Sequence, residues 1–133
     1  MTLLDTHVLI WLTEGSDRLG AEARQLADVA LAEEQLAVSA ISFWEVSMLH
    51  GKGRIGLRQP PEAWRAELLG WGLLEVPIDG GIGISAAGLP GLHQDPADRI
   101  IVATASLAGA TLVTADRRLL DWPGPLRTCD ASI

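Results

Sequence analysis

Apolar residues along this chain fall into two alternating spacings. Short unbroken runs, Thr2 to Leu4, "LAVSA" at 36–40, "LLEVPI" at 73–78 and "TLVTA" at 111–115, have the length and continuity of strands buried on both faces. Between them the apolar positions recur every three or four residues, the spacing of a helix with one buried stripe. Val8, Leu9, Trp11 and Leu12 predict a helix after the first run, and 20–34 predicts a second, with Ala23, Leu26, Ala27, Ala30 and Leu31 on its stripe. "SFWEVSMLHGK" predicts a helix that opens at Ser42 and stops near Gly51. "PPEAWRAELLGWG" (60–72) has proline at its start and glycine past its end, the usual asymmetry of helix termini. A short helix is expected around 82–87, a long one after Pro96, and a brief one from Asp116 to about Leu120. A last small strand is expected near Leu126 and Arg127.

Apolar strands that alternate with helices predict an α/β fold: a mainly parallel central sheet covered by helices on both faces, in three layers. In such sheets ligands sit beyond the carboxyl ends of the strands, where the strand order reverses. The residues expected there are acidic. Asp5 ends the first strand, Glu45 lies one turn into the helix after the second, Asp98 opens the long helix, and Asp116 follows the strand at 111–115.

Helix capping accounts for each of these acids singly. "SFWE" matches a capping box between Ser42 and Glu45; in "DPAD" Asp95 caps, Pro96 takes the first helical position and Asp98 faces the positive end of the helix dipole. Asp5 and Asp116 serve equally as caps. Together they suggest more, because serine, threonine or asparagine caps as well as a carboxylate does. Carboxylates within about 4 to 6 Å repel unless protonated or bridged by a cation. An oxygen-only donor set selects a hard divalent ion such as Mg²⁺ or Mn²⁺. Such ions promote phosphodiester hydrolysis by activating water and by stabilising transition-state charge.

Four blocks, "LLDTHVLIW", "VSAISFWEVSMLHGKGRI", "HQDPADRIIVATA" and "LVTAD", stand in this order and spacing. Together they resemble the PIN domain, and closely the VapC-type ribonuclease toxins of bacterial toxin–antitoxin pairs, from about Thr2 to Asp121. The resemblance implies a five-stranded parallel sheet, a metal-binding and catalytic acidic site of Asp5, Glu45, Asp98 and Asp116, and Mg²⁺- or Mn²⁺-dependent endoribonuclease activity. It further implies that Thr114 orients a carboxylate or a water, that a cognate antitoxin protein is a partner, and that the chain forms a homodimer.

The chain has 133 residues, 48% of them hydrophobic, enough for one domain over 1–133 with its own core. No run reaches the roughly 18 apolar residues that span a bilayer, and the start lacks a signal-peptide pattern, so a cytoplasmic protein without membrane contact is expected. The single Cys129 suits a reducing compartment and is read as a passive thiol. A net charge of −7 opposes a simple electrostatic grip on nucleic acid, unless the acids are gathered in one cleft and the cations line its rim. Lys52, Arg54 and Arg99 are therefore the candidate contacts to substrate phosphate.

The remaining conspicuous residues carry less weight. His7, His50 and His93 are assigned structural or rim roles, Asp95 a capping role and Asp121 a solvated one. Trp11, Trp44 and Trp64 fall on apolar stripes and are expected in the core or at a subunit interface, while Trp71 and Trp122 are open. Two other functions compete with this reading. A receiver-type Mg²⁺-binding regulatory domain needs paired acids after the first strand, but Thr6 and His7 follow Asp5, and it needs an aspartate directly after the third, where Pro77 and Ile78 stand. A non-catalytic PIN-like interaction module is opposed only by the presence of all four acids.

Overall fold

The computed structural model describes residues 1–133. The element order is β1 (Thr2–Leu4), α1 (Thr6–Glu14), α2 (Ala21–Ala32), β2 (Leu36–Ser39), α3 (Ala40–Gly51), α4 (Pro61–Gly70), β3 (Leu74–Val76), α5 (Gly80–Ala87), α6 (Pro96–Ala108), β4 (Thr111–Thr114), α7 (Arg117–Leu120) and β5 (Arg127–Asp130). The five strands form one sheet in the order β3-β2-β1-β4-β5, and every pairing is parallel. The sheet expected to be mainly parallel is wholly so. Its order runs outward from β1 through β2 to β3, then crosses back to place β4 on the other side of β1. The reversal therefore lies between β1 and β4.

Strand periodicity sorts the core into two layers. Leu4, Leu36, Val38 and Val113 face α1 to α4, meeting Val8, Ala27, Val46 and Leu68. The alternate residues Leu3, Ala37 and Leu112 face the opposite way, against Ile101, Val102 and Ala105 of α6 and Leu119 of α7. Helix α5 packs on α6 through Ile82, Ala86 and Ala103. Because neighbouring strand residues point to opposite faces, each central strand must be apolar throughout, which explains the unbroken runs in the sequence.

Several local expectations change. Helix α3 begins two residues early, with Ser39 as its cap accepting from the Ile41 amide, so Ser42 and Glu45 lie inside the helix and form no capping box. On α2 the buried stripe is Ala23, Ala27 and Ala30, and Leu26 is exposed. No side chain caps α2; its Gly20 lies so near the backbone of Ile133 that an added Cβ would overlap it, and the Glu22 amide donates to the Ile133 carbonyl at 2.9 Å. Trp64 is in the core as expected, whereas Trp44 is 56% exposed. Trp122 is buried, its indole N–H donating to the Pro90 carbonyl at 2.9 Å. No helix is long and apolar enough to cross a membrane.

Candidate active site

The strand reversal opens onto a cavity of about 290 Å³ whose lining includes Asp5, Glu45, Asp95, Asp98 and Asp116, together with Thr6, His7, Trp11 and Arg118. All four acids expected at the site are thus brought together from four elements. β1 and β4 are hydrogen-bonded neighbours with Leu4 opposite Val113, so the residues that follow them emerge side by side. α3 and α6 contribute the other two acids from their first half.

Asp5 is the N-cap of α1 and uses its two oxygens for different partners. Oδ1 accepts the Val8 amide at 2.9 Å, and Oδ2 accepts the hydroxyl proton of Thr114. The Thr114 oxygen in turn accepts the Asp116 amide at 3.1 Å, so one threonine ties together the acids after β1 and β4. Burial pushes the Asp5 carboxyl above the ordinary 3.8, and these hydrogen bonds oppose the rise without cancelling it.

Glu45 is held from α1. Thr6 Oγ1 lies 2.5 Å from Glu45 Oε1 and 2.9 Å from Ser42 Oγ. A hydroxyl carries one proton, so with Glu45 ionised Thr6 donates to the carboxylate and accepts from Ser42. Burial raises the Glu45 carboxyl above its usual value, and the Thr6 bond offsets part of that.

Asp98 is the most perturbed group. Asp95 caps α6 by accepting the amides of Ala97 and Asp98, as the "DPAD" pattern implied, and leaves the Asp98 side chain free to face the cavity. Its carboxyl is pushed up to about 7, first by burial and then by repulsion from Asp95, Glu45, Asp116 and Asp5. Asp116 goes the other way. As the N-cap of α7 it accepts the Arg118 amide at 2.9 Å, and its two oxygens also meet the Arg118 guanidinium at 3.2 and 2.8 Å, which holds its carboxyl below the ordinary range.

His93 Nε2 stands 3.3 Å from Asp98 Oδ2 but is not aligned for a hydrogen bond, and this buried nitrogen has no hydrogen-bond partner. One ligand atom each from His93, Asp98 and Asp116 falls within 4.8 Å of the others, close enough for a single cation to bridge them. Asp5 and Glu45 line the same cavity outside that group. A site with five carboxylates, one arginine and an unpartnered imidazole nitrogen is short of positive charge.

The cations expected on the rim are placed differently. Arg99 is buried, and its guanidinium donates to the carbonyls of Ala86, Ala87, Leu89, Leu92 and His93, leaving nothing for a phosphate. It is a clamp on the segment between α5 and α6, which corrects its assignment as a substrate contact. Lys52 and Arg54 are exposed past the end of α3 and do not line the cavity. Arg118, not singled out in the sequence, is the lysine or arginine that does. Its signal was the spacing "DRR": an arginine two residues beyond a capping aspartate can fold back on it. His93, two residues before the Asp95 cap, and Thr6, beside Asp5, were likewise missed because their roles arise only from tertiary contact.

Asp121 pairs with Arg117 on the exposed surface, as expected. His7 is exposed at the cavity rim.

A family profile for the PIN domain matches residues 2–124. Ribonuclease VapC22 of Mycobacterium tuberculosis is 40% identical over 118 residues, 88% of each chain. Among solved structures, VapBC2 from Rickettsia felis bound to a DNA fragment from its promoter superposes with a TM-score of 0.71 at 17% identity, covering 97% of both chains. A toxin–antitoxin complex from Klebsiella pneumoniae gives 0.67 at 24% identity, covering 96% of this chain and 99% of the other. These two establish likeness of fold; the profile and the 40% identical relative establish kinship, and the chain belongs to the PIN domain family.

Proposed function

We propose that the chain is a divalent-metal-dependent endoribonuclease that hydrolyses RNA phosphodiesters, acting as the toxin of a type II toxin–antitoxin pair. The observation that carries this reading is the convergence of Asp5, Glu45, Asp98 and Asp116 on one cavity at the strand reversal. Its likeness to Ribonuclease VapC22 supplies the substrate class.

The residues present suit a hard divalent cation. The donors are carboxylate oxygens with one imidazole nitrogen, and burial, followed by repulsion from the neighbouring carboxylates, has raised Asp98 to about 7. Asp98 and Asp116 would hold the ion, with His93, Asp5 and Glu45 as further ligands directly or through water. When bound, Mg²⁺ or Mn²⁺ supplies charge neutralisation at the scissile phosphate and acidifies water at neutral pH. The chain itself preorganises the carboxylates. Thr114 and the Val8 amide fix both oxygens of Asp5, Thr6 orients Glu45, and the Arg118 amide fixes Asp116. Such support matters because a loosely held ligand set binds metal more weakly.

Lys52 and Arg54 are assigned to phosphates flanking the cut. Lys52 lies seven positions beyond Glu45, about 10 Å along a helix axis, so these cations stand one step away from the chemistry. The same reading takes the 133 residues as one cytoplasmic catalytic domain that pairs with a second copy and is neutralised by a small antitoxin.

The test is cleavage of RNA by the purified chain in Mn²⁺ or Mg²⁺, beside Asp5→Asn and Asp116→Asn. Both variants should keep the wild-type circular dichroism and lose cleavage. Full activity in either removes the assignment.

A further inference from the structure

We propose that Arg118 is a displaceable counter-ion of the acidic cavity: a divalent cation loading at Asp98 and Asp116 expels its guanidinium, which then takes a phosphate of the bound RNA. The inference rests on the nuclease reading above and adds a residue and an order of events to it.

Arg118 holds two carboxylates of the candidate metal group at once. Its Nε and Nη2 meet Oδ1 and Oδ2 of Asp116 at 3.2 and 2.8 Å, and Nη2 lies 3.8 Å from Oδ2 of Asp98. A guanidinium carries donors only, so it occupies the oxygen lone pairs that a metal needs. It also carries positive charge, which a cation at the same oxygens repels. The guanidinium and the ion are therefore alternatives.

Nothing else retains the arginine. Its side chain is 61% exposed, and its hydrogen bonds go to Asp116 alone. Arg99 provides the contrast, buried and bound to five carbonyls. Arg117 points elsewhere, to Asp121 and Asp130. When the Arg118 guanidinium leaves, its own backbone amide stays on Oδ1 of Asp116 at 2.9 Å, so the carboxylate keeps its orientation. The freed fork stands at the mouth of the cavity, where RNA phosphate must arrive and where no other lysine or arginine lines the wall. Planar bidentate recognition of phosphate is what a guanidinium does best. Before loading, Arg118 spares the chain part of the repulsion among its acids; afterwards it offsets the repulsion between those acids and the substrate.

The experiment is a calorimetric Mn²⁺ titration of the full chain, of Arg118→Gln and Arg118→Lys, and of Arg117→Gln as a control for charge alone. Displacement predicts that Arg118→Gln binds Mn²⁺ about fivefold more tightly than wild type, the amount a bidentate exposed ion pair can withhold, and Arg118→Lys more tightly by a smaller factor, while Arg117→Gln stays close to wild type. Arg118→Lys separates the two causes, since it keeps the charge and loses the fork. Affinity for RNA is then measured with and without Mn²⁺ in the Asp5→Asn background, which keeps Asp98, Asp116 and Arg118 and is expected not to cleave. Arg118→Gln should weaken RNA binding about tenfold in Mn²⁺ and little without it. Unchanged Mn²⁺ affinity in both Arg118 variants overturns the inference even if the chain cleaves RNA. An equal loss of RNA affinity with and without Mn²⁺ also overturns it, making Arg118 a permanent surface contact. If wild type binds no Mn²⁺ and cuts no RNA, the nuclease reading falls and the inference falls with it.

Discussion

Thr114 and Asp5, 109 residues apart in sequence, are joined by a hydrogen bond from the threonine hydroxyl to Oδ2 of the aspartate. Both are buried, so the bond is unshielded by water and its loss leaves a desolvated carboxylate oxygen without a donor. Thr114→Val, nearly isosteric, should cost about 1–3 kcal/mol of stability. It should also lower cleavage by about tenfold or more, because Asp5 loses its orientation. Thr114→Ser keeps the hydroxyl and should retain most of both. Urea unfolding and cleavage rates on the three proteins decide the point.

Asp98 makes stability depend on pH in a direction opposite to that of most aspartates. Its folded pKa, about 7, lies above the ordinary 3.8, so between these values the folded chain binds the proton and the unfolded chain releases it. Stability from this group is fully present below about pH 3.8 and is lost as pH rises through about 7. Asp5 and Glu45, also raised, act in the same sense. Asp98→Asn should therefore melt higher than wild type at about pH 8, and the gain should shrink toward about pH 4.5. Thermal melts at the two pH values check this; a gain of the same size at both would mean that Asp98 titrates normally.

A cation that binds only the folded state should stabilise it. Mn²⁺ at a hundredfold excess over its Kd adds about 2.7 kcal/mol. Asp116→Asn should lose most of that increment while melting near wild type in chelator. Melting curves with Mn²⁺ and with EDTA provide the comparison, and an undiminished Mn²⁺ shift in the variant would place the ion elsewhere.

Arg99→Met should be strongly destabilising, by about 3 kcal/mol or more, since five carbonyls lose a charged donor. Arg99→Lys should recover little, because one ammonium cannot reach a fan of acceptors spread from Ala86 to His93. Folded molecules of either variant should bind RNA as wild type does. Unfolding in urea and RNA binding below the transition separate the structural role from the phosphate contact first expected.

The contrast between Arg99 and Arg118 marks how far the sequence could be read. Runs such as "TLVTA" announced parallel strands because a strand buried on two faces has no polar alternation. Asp5, Asp98 and Asp116 were visible because strand ends and helix starts are also where caps occur, and "DPAD" behaved as its pattern implied. For Glu45 the competing capping-box reading dissolved when α3 began at Ala40, and its partner proved to be Thr6 across the layer. Long polar side chains were the hardest to place. Arg99 and Arg118 are both arginines near an acidic motif; the packing of α5 on α6 turns Arg99 inward to carbonyls, whereas Arg118 folds back locally onto the Asp116 cap.

The position of β1 between β2 and β4 has a consequence for synthesis. The strand bearing Asp5 is translated before β4, which completes its pairing and brings Asp116. A chain still being translated can collapse around α1 to α4, yet it lacks Thr114 to fix Asp5 and a fourth acid to close the cluster. Long-range pairing of this kind also forms slowly. The four-acid cluster would then form only once β4 has been made and has paired with β1, rather than growing with the chain.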